Sequence, residues 1–390
     1  MKSVLCPFCF NKFSTAEIQF RCINQKCSGR GEDKTYEKYQ GSSLGVMGQG
    51  FLPQTNLFSK AMNRLNSQRE ATCPTCDRVT SKRICPACHF ELMYDTGTTK
   101  EEVIAVIGGR GTGKSSYISV LIQRLKNEVG SDFNAAVMAI GDITRERYEN
   151  DFYKPIYRDK KQIKGTQSGN VNAITKTPMV FRVTLENKGR RRAVNLVLFD
   201  TAGEDMCSLD LMSAEARYIL YADAIIFLLD PLQIESVREQ LPEDDLPPFL
   251  LDAAPIPIVE RLYEIHQQHF KLKSEEKIKK PIAFALAKID TLYSIIDPSS
   301  VLRYTSNHRG ALNLADTQSV HTEISSYLQT WLGPNFNNLT HSQFKNYKYF
   351  GISALGAPPV NGEVGSVSPL RVEDPLLWIL SELSLIKTKK

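Results

Sequence analysis

Eight cysteines stand in four close pairs near the start of the sequence: Cys6 and Cys9, Cys22 and Cys27, Cys73 and Cys76, Cys85 and Cys88. Closely spaced thiols can reach one ion from a tight turn, and a second pair returning nearby completes a tetrahedron. Read by proximity along the chain, Cys6, Cys9, Cys22 and Cys27 form one site, and Cys73, Cys76, Cys85 and Cys88 form another. Four thiolates suit a closed, structural Zn2+ site, although iron also takes four sulfurs. About two zinc ions per chain are therefore expected, with no open position for catalysis. His89, beside Cys88, reads either as a group that tunes the site or as a surface side chain. Cys207 lies outside the pairs.

A second chemistry follows the cysteines. The run Val103 to Ile107 leads into Gly108-Gly109-Arg110-Gly111-Thr112-Gly113-Lys114-Ser115, which reads G-x4-G-K-S. Glycines at this spacing let the backbone from Gly108 through Gly111, Thr112 and Gly113 to Ser116 turn its amides toward phosphate oxygens. Lys114 can then neutralise the β and γ phosphates, and Ser115 can ligate Mg2+. Arg110 reads as a phosphate contact or as a solvent-facing base. A later strand, Ala193 to Phe199, ends in Asp200-Thr201-Ala202-Gly203-Glu204. An acid there can support magnesium through water, and the Gly203 amide can approach the γ phosphate. A switch threonine is expected between Gly130 and Thr177, with Thr166, Thr175 and Thr177 as candidates.

These groups need a frame. The spacing predicts a helix from Ser116 to Glu128 with Ile118, Leu121, Ile122 and Leu125 on one buried face. Phe181, Val183 and Leu185 alternate as in a strand, and Ile225 to Asp230 reads as a buried one. Prolines at 242, 247, 248, 255 and 257 make Leu241 to Ile258 an insertion or edge loop. Pro375 to Leu383 reads as a helix with Trp378 in the core or against a partner. The pattern as a whole predicts an α/β fold, a mostly parallel sheet with helices on both faces and small zinc-ribbon modules attached. The expected boundaries are a first ribbon at 1–40, a linker and short helix at 41–68, a second ribbon at 69–98 and the phosphate-binding domain at 99–390.

Two further segments bear on base identity. Ile282 to Leu286 leads into Ala287-Lys288-Ile289-Asp290, and Lys348 to Ile352 leads into Ser353-Ala354. With these in view, residues 100 to 385 resemble the translation-factor-related and Ras-like GTPase class. DTAGE stands at its DxxG motif, AKID at its N/T-K-x-D motif and SAL at its base loop. The resemblance implies GTP/GDP as ligand, Asp290 on the guanine edge, Lys288 over the ring, and Ser353 and Ala354 in the base loop, with the Ala354 amide on the base oxygen. More narrowly, the cysteine-bearing start, the long insertion before DTAGE and the terminal Asp374 to Leu380 resemble the bacterial double-GTPase group of multigene conflict systems. That resemblance implies protein partners, a second GTPase among them, because one P-loop stands in this chain. Ala287 departs from the usual Asn or Thr, and Glu204 stands where a water-positioning Gln is common. A glutamate there can orient water, or its charge can slow attack on a γ phosphate.

Composition agrees with a soluble globular protein: 390 residues, 42% hydrophobic, 23% charged and a formal charge of +5. This excludes global disorder and a disulfide mini-protein. No transmembrane segment or secretory start is legible, so the expected location is the cytoplasm, where reduced thiols bind metal. Phe8, Phe10, Phe13, Phe20, Arg21 and Lys26 could stack and bind nucleic acid, a secondary expectation beside protein partners. The alternatives to a GTP-hydrolysing switch are a non-hydrolysing nucleotide-dependent scaffold and an ATPase adaptor that binds nucleic acid through the ribbons.

Overall fold

The apolar run before the glycines becomes the central strand of the molecule, β1 (Lys100–Gly108). Its flanking strands, also buried on both faces, are β4 (Arg190–Asp200) and β5 (Ala224–Leu229). Strands covered on both sides read as continuous apolar stretches, which is why Val103 to Ile107 and Ala224 to Leu229 show no alternation. The computed structural model describes residues 3–40, 45–53, 68–163, 178–187, 190–200, 217–243, 246–250 and 253–390.

With β2 (Ala135–Ala139), β3 (Met179–Asn187), β6 (Ile282–Leu286) and β7 (Tyr347–Gly351), these strands form a seven-stranded sheet in the order β2-β3-β4-β1-β5-β6-β7. From β4 to β7 all pairings are parallel, while β2 and β3 add an antiparallel edge. The expected mostly parallel α/β architecture is therefore present.

Alternate residues of β1 divide the core. Val103, Ala105 and Ile107 face one side with residues of α3 (Arg217–Tyr221), α4 (Pro255–Phe270), α5 (Leu314–Leu332) and α6 (Pro334–Gln343). Ile104 and Val106 face the other, against α1 (Lys114–Lys126) and α7 (Asp374–Glu382). Ile118, Leu121, Ile122 and Leu125 of α1 are buried as their spacing predicts, and Trp378 of α7 packs 5.9 Å from Phe350. Between α1 and β3, α2 (Asp142–Arg147) continues into a wider π-helical stretch, Tyr148–Arg158. Tyr148 of that stretch meets Phe181 edge-on at 5.6 Å.

One boundary needs correction. α4 starts at Pro255, inside the stretch expected as loop, because proline fits the first turn of a helix, where its missing amide is not needed. The Pro-rich spacing marked a helix start as well as a loop.

The cysteine region is a second departure. Gln19–Arg21 pairs on one side with Gly50–Phe51 and on the other with Arg83–Ile84. Residues expected as two separate ribbons, 1–40 and 69–98, thus share a sheet. Met47–Gly48, expected as linker, pairs with Arg30–Gly31. Residues 54–67, with Leu57, Phe58, Met62 and Leu65, lie outside the described residues.

Glu101, at the start of β1, is partly buried, and its carboxylate accepts the Thr96 hydroxyl at 3.1 Å. Burial raises its carboxyl from 4.5 to about 7, with the Thr96 hydrogen bond opposing. A raised acid holds its proton more tightly folded than unfolded. Its penalty is therefore absent below the unfolded value and grows as pH rises through the folded one. Glu101→Gln, which keeps the acceptor, is expected to leave stability unchanged at pH 4 and to raise it by about 1–3 kcal/mol at pH 8. Urea unfolding at both pH values measures this.

Candidate functional site

The phosphate loop leaves β1 at Gly108 and enters α1 at Lys114. Gly111 and Gly113 hold φ of 77° and 85°, a left-handed backbone that a side chain would strain, and Gly113 caps the helix without a side-chain bond. The amides at the start of α1 consequently face a prospective anion. Lys114 is buried, and its ammonium donates to the carbonyls of Gly108 at 2.9 Å and Gly109 at 3.0 Å, which sets it across the loop. Thr112 closes the same turn by donating to Gly109 at 2.9 Å.

Parallel pairing sets Asp200 opposite Val106. The carboxylate is buried and accepts the Ser115 hydroxyl at 2.8 Å. The two expected magnesium ligands are therefore adjacent although 85 residues separate them. This donor set fits Mg2+, a hard cation served by oxygen. Arg147, at the end of α2, is a buried cation that the sequence reading missed. Burial lowers its guanidinium from the ordinary value, and the charges of Asp200 and Asp151 oppose that shift. Nothing in its local spacing distinguishes it from other bases of the insertion. Gly203, Glu204 and Cys207, with Thr166, Thr175 and Thr177, lie outside the described residues.

At the base end, the Ile289 amide donates to the Ile352 carbonyl at 3.1 Å, joining the AKID segment to the loop that carries Ser353 and Ala354. Lys288 adopts φ 53° and starts the short helix Ile289–Leu292 that carries Asp290, which is half-buried. The Lys288 ammonium lies 2.7 Å from the buried Asp230 carboxylate, whose other oxygen accepts the Leu232 amide at 3.0 Å. Asp230 thus ties the end of β5 to the AKID segment, a connection that the Ala287 side chain does not make. The sequence reading assigned Asp230 only to a buried strand.

Ser353 is buried and its hydroxyl accepts the Gly356 amide at 2.9 Å, while its backbone pairs with Leu370. The next residue, Arg371, forks onto Asp316 at 2.8 and 3.0 Å and reaches Asp374 at 2.9 Å. His308, Asp316 and Asp374 lie close enough to suggest a cation site, but Arg371 already supplies the positive charge there.

The thiols regroup. Cys6 and Cys9 converge with Cys85 and Cys88, and Cys22 and Cys27 converge with Cys73 and Cys76. The pairs are nested, outermost with outermost, and not grouped by proximity in sequence. For metal–sulfur bonds of about 2.3 Å a tetrahedron has S···S edges of about 3.8 Å. Across the first set Cys6 lies 3.7 Å from Cys88 and Cys9 3.8 Å from Cys85. Across the second, Cys22 lies 3.6 Å from Cys76 and Cys27 3.9 Å from Cys73. Four buried thiolates drawn this close repel one another and lose hydration, so gathering them there requires a compensating cation. Both sets fit zinc. His89 is half-buried, and its Nδ1 lies 2.8 Å from Asp33, a buried acid that also holds Arg21 at 2.5 Å.

The glycine loop, the Ser115–Asp200 pair and the AKID and Ser353–Ala354 segments all follow the carboxyl ends of sheet strands, where α/β folds bind ligands. A sequence model of the family described as Double-GTPase 2 matches residues 102–357. The chain belongs to the Double-GTPase 2 family. The matched span runs from β1 past the base loop and leaves the cysteine region outside it. The chain is also 28% identical over 324 residues to the putative ESX-1 scaffolding and assembly protein SaeC of Mycolicibacterium smegmatis (strain ATCC 700084 / mc(2)155). That alignment covers 78% of this chain and 80% of the relative. Double-GTPase 2 membership implies that the nucleotide is GTP or GDP. Among the described residues, no helix is long and apolar enough to cross a membrane.

The nested grouping separates two outcomes. In the protein with Cys9→Ser and Cys85→Ser, both changes fall in one set, and zinc content is expected to fall from about two ions to about one. With Cys9→Ser and Cys76→Ser, one change falls in each set and content is expected to approach zero. Elemental analysis of the purified proteins reads both, and sequential grouping would give the same loss in each.

Proposed function

We propose that this chain is a Mg2+-dependent GTP-binding switch that hydrolyses GTP to GDP and phosphate and relays its nucleotide state to protein partners. The observation that carries the reading is the 2.8 Å contact between Ser115 and Asp200 at the mouth of a complete G-x4-G-K-S loop. Lys114 and the loop amides from Gly108 to Ser116 would hold the phosphates, and Ser115 with Asp200 would hold Mg2+. The metal would supply charge neutralisation on the phosphate oxygens.

Asp290 would accept from the guanine edge, Lys288 would cover the ring, and the loop of Ser353 and Ala354 would meet the base oxygen. In hydrolysis a water oxygen bonds to the γ phosphorus, the bond to the β–γ bridging oxygen breaks, and GDP leaves with that oxygen. Gly203 would sense the γ phosphate. Glu204 would orient the water, and its negative charge makes slow intrinsic turnover the expected behaviour.

The double-GTPase resemblance supports a place in a bacterial multigene defence system, in the cytoplasm, with another GTPase among the partners. We further propose that the cysteine region forms a zinc-held platform ahead of the nucleotide domain at 99–390. A second reading is a nucleotide-dependent scaffold without turnover. The chain's likeness to SaeC, named a putative scaffolding and assembly protein, favours it.

A panel of GTP and ATP, with and without Mg2+, read for equilibrium binding and phosphate release, tests the proposal. Selective, magnesium-dependent GTP binding is expected, and Lys114→Ala should weaken GTP and ATP alike by about 10- to 100-fold. Asp290→Asn should reduce the preference for GTP over ATP by a similar factor, about 10-fold or more. Equal affinity of the parent for GTP and ATP would contradict the assignment of Asp290, and binding without phosphate release would favour the scaffold.

A further inference from the structure

We infer that Phe10 is a positioning residue that couples zinc loading at Cys6, Cys9, Cys85 and Cys88 to the nucleotide site. Phe10 follows Cys9 directly, and its backbone belongs to the metal knuckle. Its amide donates to the Cys6 carbonyl at 2.9 Å, and the Cys6 amide donates to Asn11 at 3.0 Å. This turn requires φ of 58° at Phe10, a left-handed conformation that a phenylalanine seldom adopts. The same pair of bonds recurs at the knuckles ending in Asp77, with φ of 56°, and His89, with φ of 57°. Those two positions carry polar side chains. Phe10 carries a ring that enters the core of the nucleotide domain.

The ring is 7% exposed and belongs to the cluster formed with Val103, Ala105 and Phe199. It lies 5.4 Å from Phe199 and stacks at 6.1 Å on Tyr221. Phe199 in turn stacks on Tyr218 at 5.2 Å. Phe199 is the residue before Asp200, and alternation along β4 puts their side chains on opposite faces. Asp200 meets Ser115 on one face while Phe10 supports the strand end from the other. Tyr218 and Tyr221 belong to α3, the helix that follows the DTAGE stretch in sequence. One aromatic cluster therefore links the strand that leads into that stretch with the helix that follows it.

The knuckle gives this cluster its dependence on metal. Convergence of four thiolates on one ion holds the left-handed turn; with the ion removed, their mutual repulsion no longer favours it. Withdrawal of Phe10 would leave Phe199 and Tyr221 without a packing neighbour on that side and loosen the end of β4. Coupling of this kind is reciprocal: a nucleotide that fixes Asp200 must raise zinc affinity by the factor that zinc raises nucleotide affinity. The second thiol set packs with Phe51 instead, which makes it an internal control.

The inference rests on the GTP reading of the site. Equilibrium competition for Zn2+ between the full chain and a chromogenic chelator, with and without a non-hydrolysable GTP analogue and Mg2+, tests it. In the parent, affinity for one of the two ions is expected to rise about five-fold or more with the analogue, and the other to stay unchanged. Phe10→Ala should abolish that rise while still binding the analogue. Should Phe10→Ala fail to fold, Phe10→Leu, which keeps apolar bulk without the stacked ring, should lose at least half of it. Zinc affinity unaffected by the analogue in a parent that binds it, or a rise as large in the variants as in the parent, would overturn the inference. A zinc-loaded parent that binds no GTP analogue would overturn the nucleotide reading itself, an outcome distinct from loss of coupling.

Discussion

The register of one strand pair governs the rest of the nucleotide domain. β1 and β4 run parallel with Val106 opposite Asp200, so the strand that ends in the phosphate loop lies beside the one that ends in the acid. Because β1 is central and buried on both faces, a slip of one residue would exchange its two core faces and move Asp200 away from Ser115. The helices α1 and α7 on one side and α4 and α5 on the other hold that register through side-chain packing. The adjacency of Ser115 and Asp200 is thus a consequence of core burial.

The chemistry that lies within a few consecutive residues was legible in the sequence, and the chemistry that depends on long-range pairing was not. The G-x4-G-K-S loop, the acid ending β4 and the helix face of Ile118 to Leu125 each carry their meaning locally. Cysteine spacing likewise specifies each knuckle, yet a knuckle supplies half a tetrahedron and does not encode its complement. The nested grouping follows from the pairing of Gln19 with Ile84, which no local spacing announces. Asp230 is a similar case, since its meeting with Lys288 depends on the neighbouring ends of β5 and β6. Arg147 sits in an insertion whose charged residues look alike in sequence, and only burial sets it apart.

Nested thiol sets also change what the cysteine region is. Each ion would join an early segment of the region to a late one, so the metal would hold the region's described segments as one unit. The shared strands, the Asp33 contacts to Arg21 and His89, and the ion pair of Arg182 with Asp95 extend that unit to the edge of the sheet. That unit is therefore joined to the seven-stranded sheet by side-chain contacts as well as by the chain itself. Its buried aromatic contact at Phe10 lies on the strand that bears Asp200.

We propose that residues far apart in sequence form one guanine nucleotide site, with Ser115 and Asp200 holding magnesium. A crystal structure of the full chain with Mg2+ and a non-hydrolysable GTP analogue tests it most directly. The phosphates are expected within the loop from Gly108 to Ser116, the ion beside Ser115 and Asp200, and the guanine edge against Asp290. A nucleotide whose base lies away from Asp290, or an ion held by other residues, would contradict it.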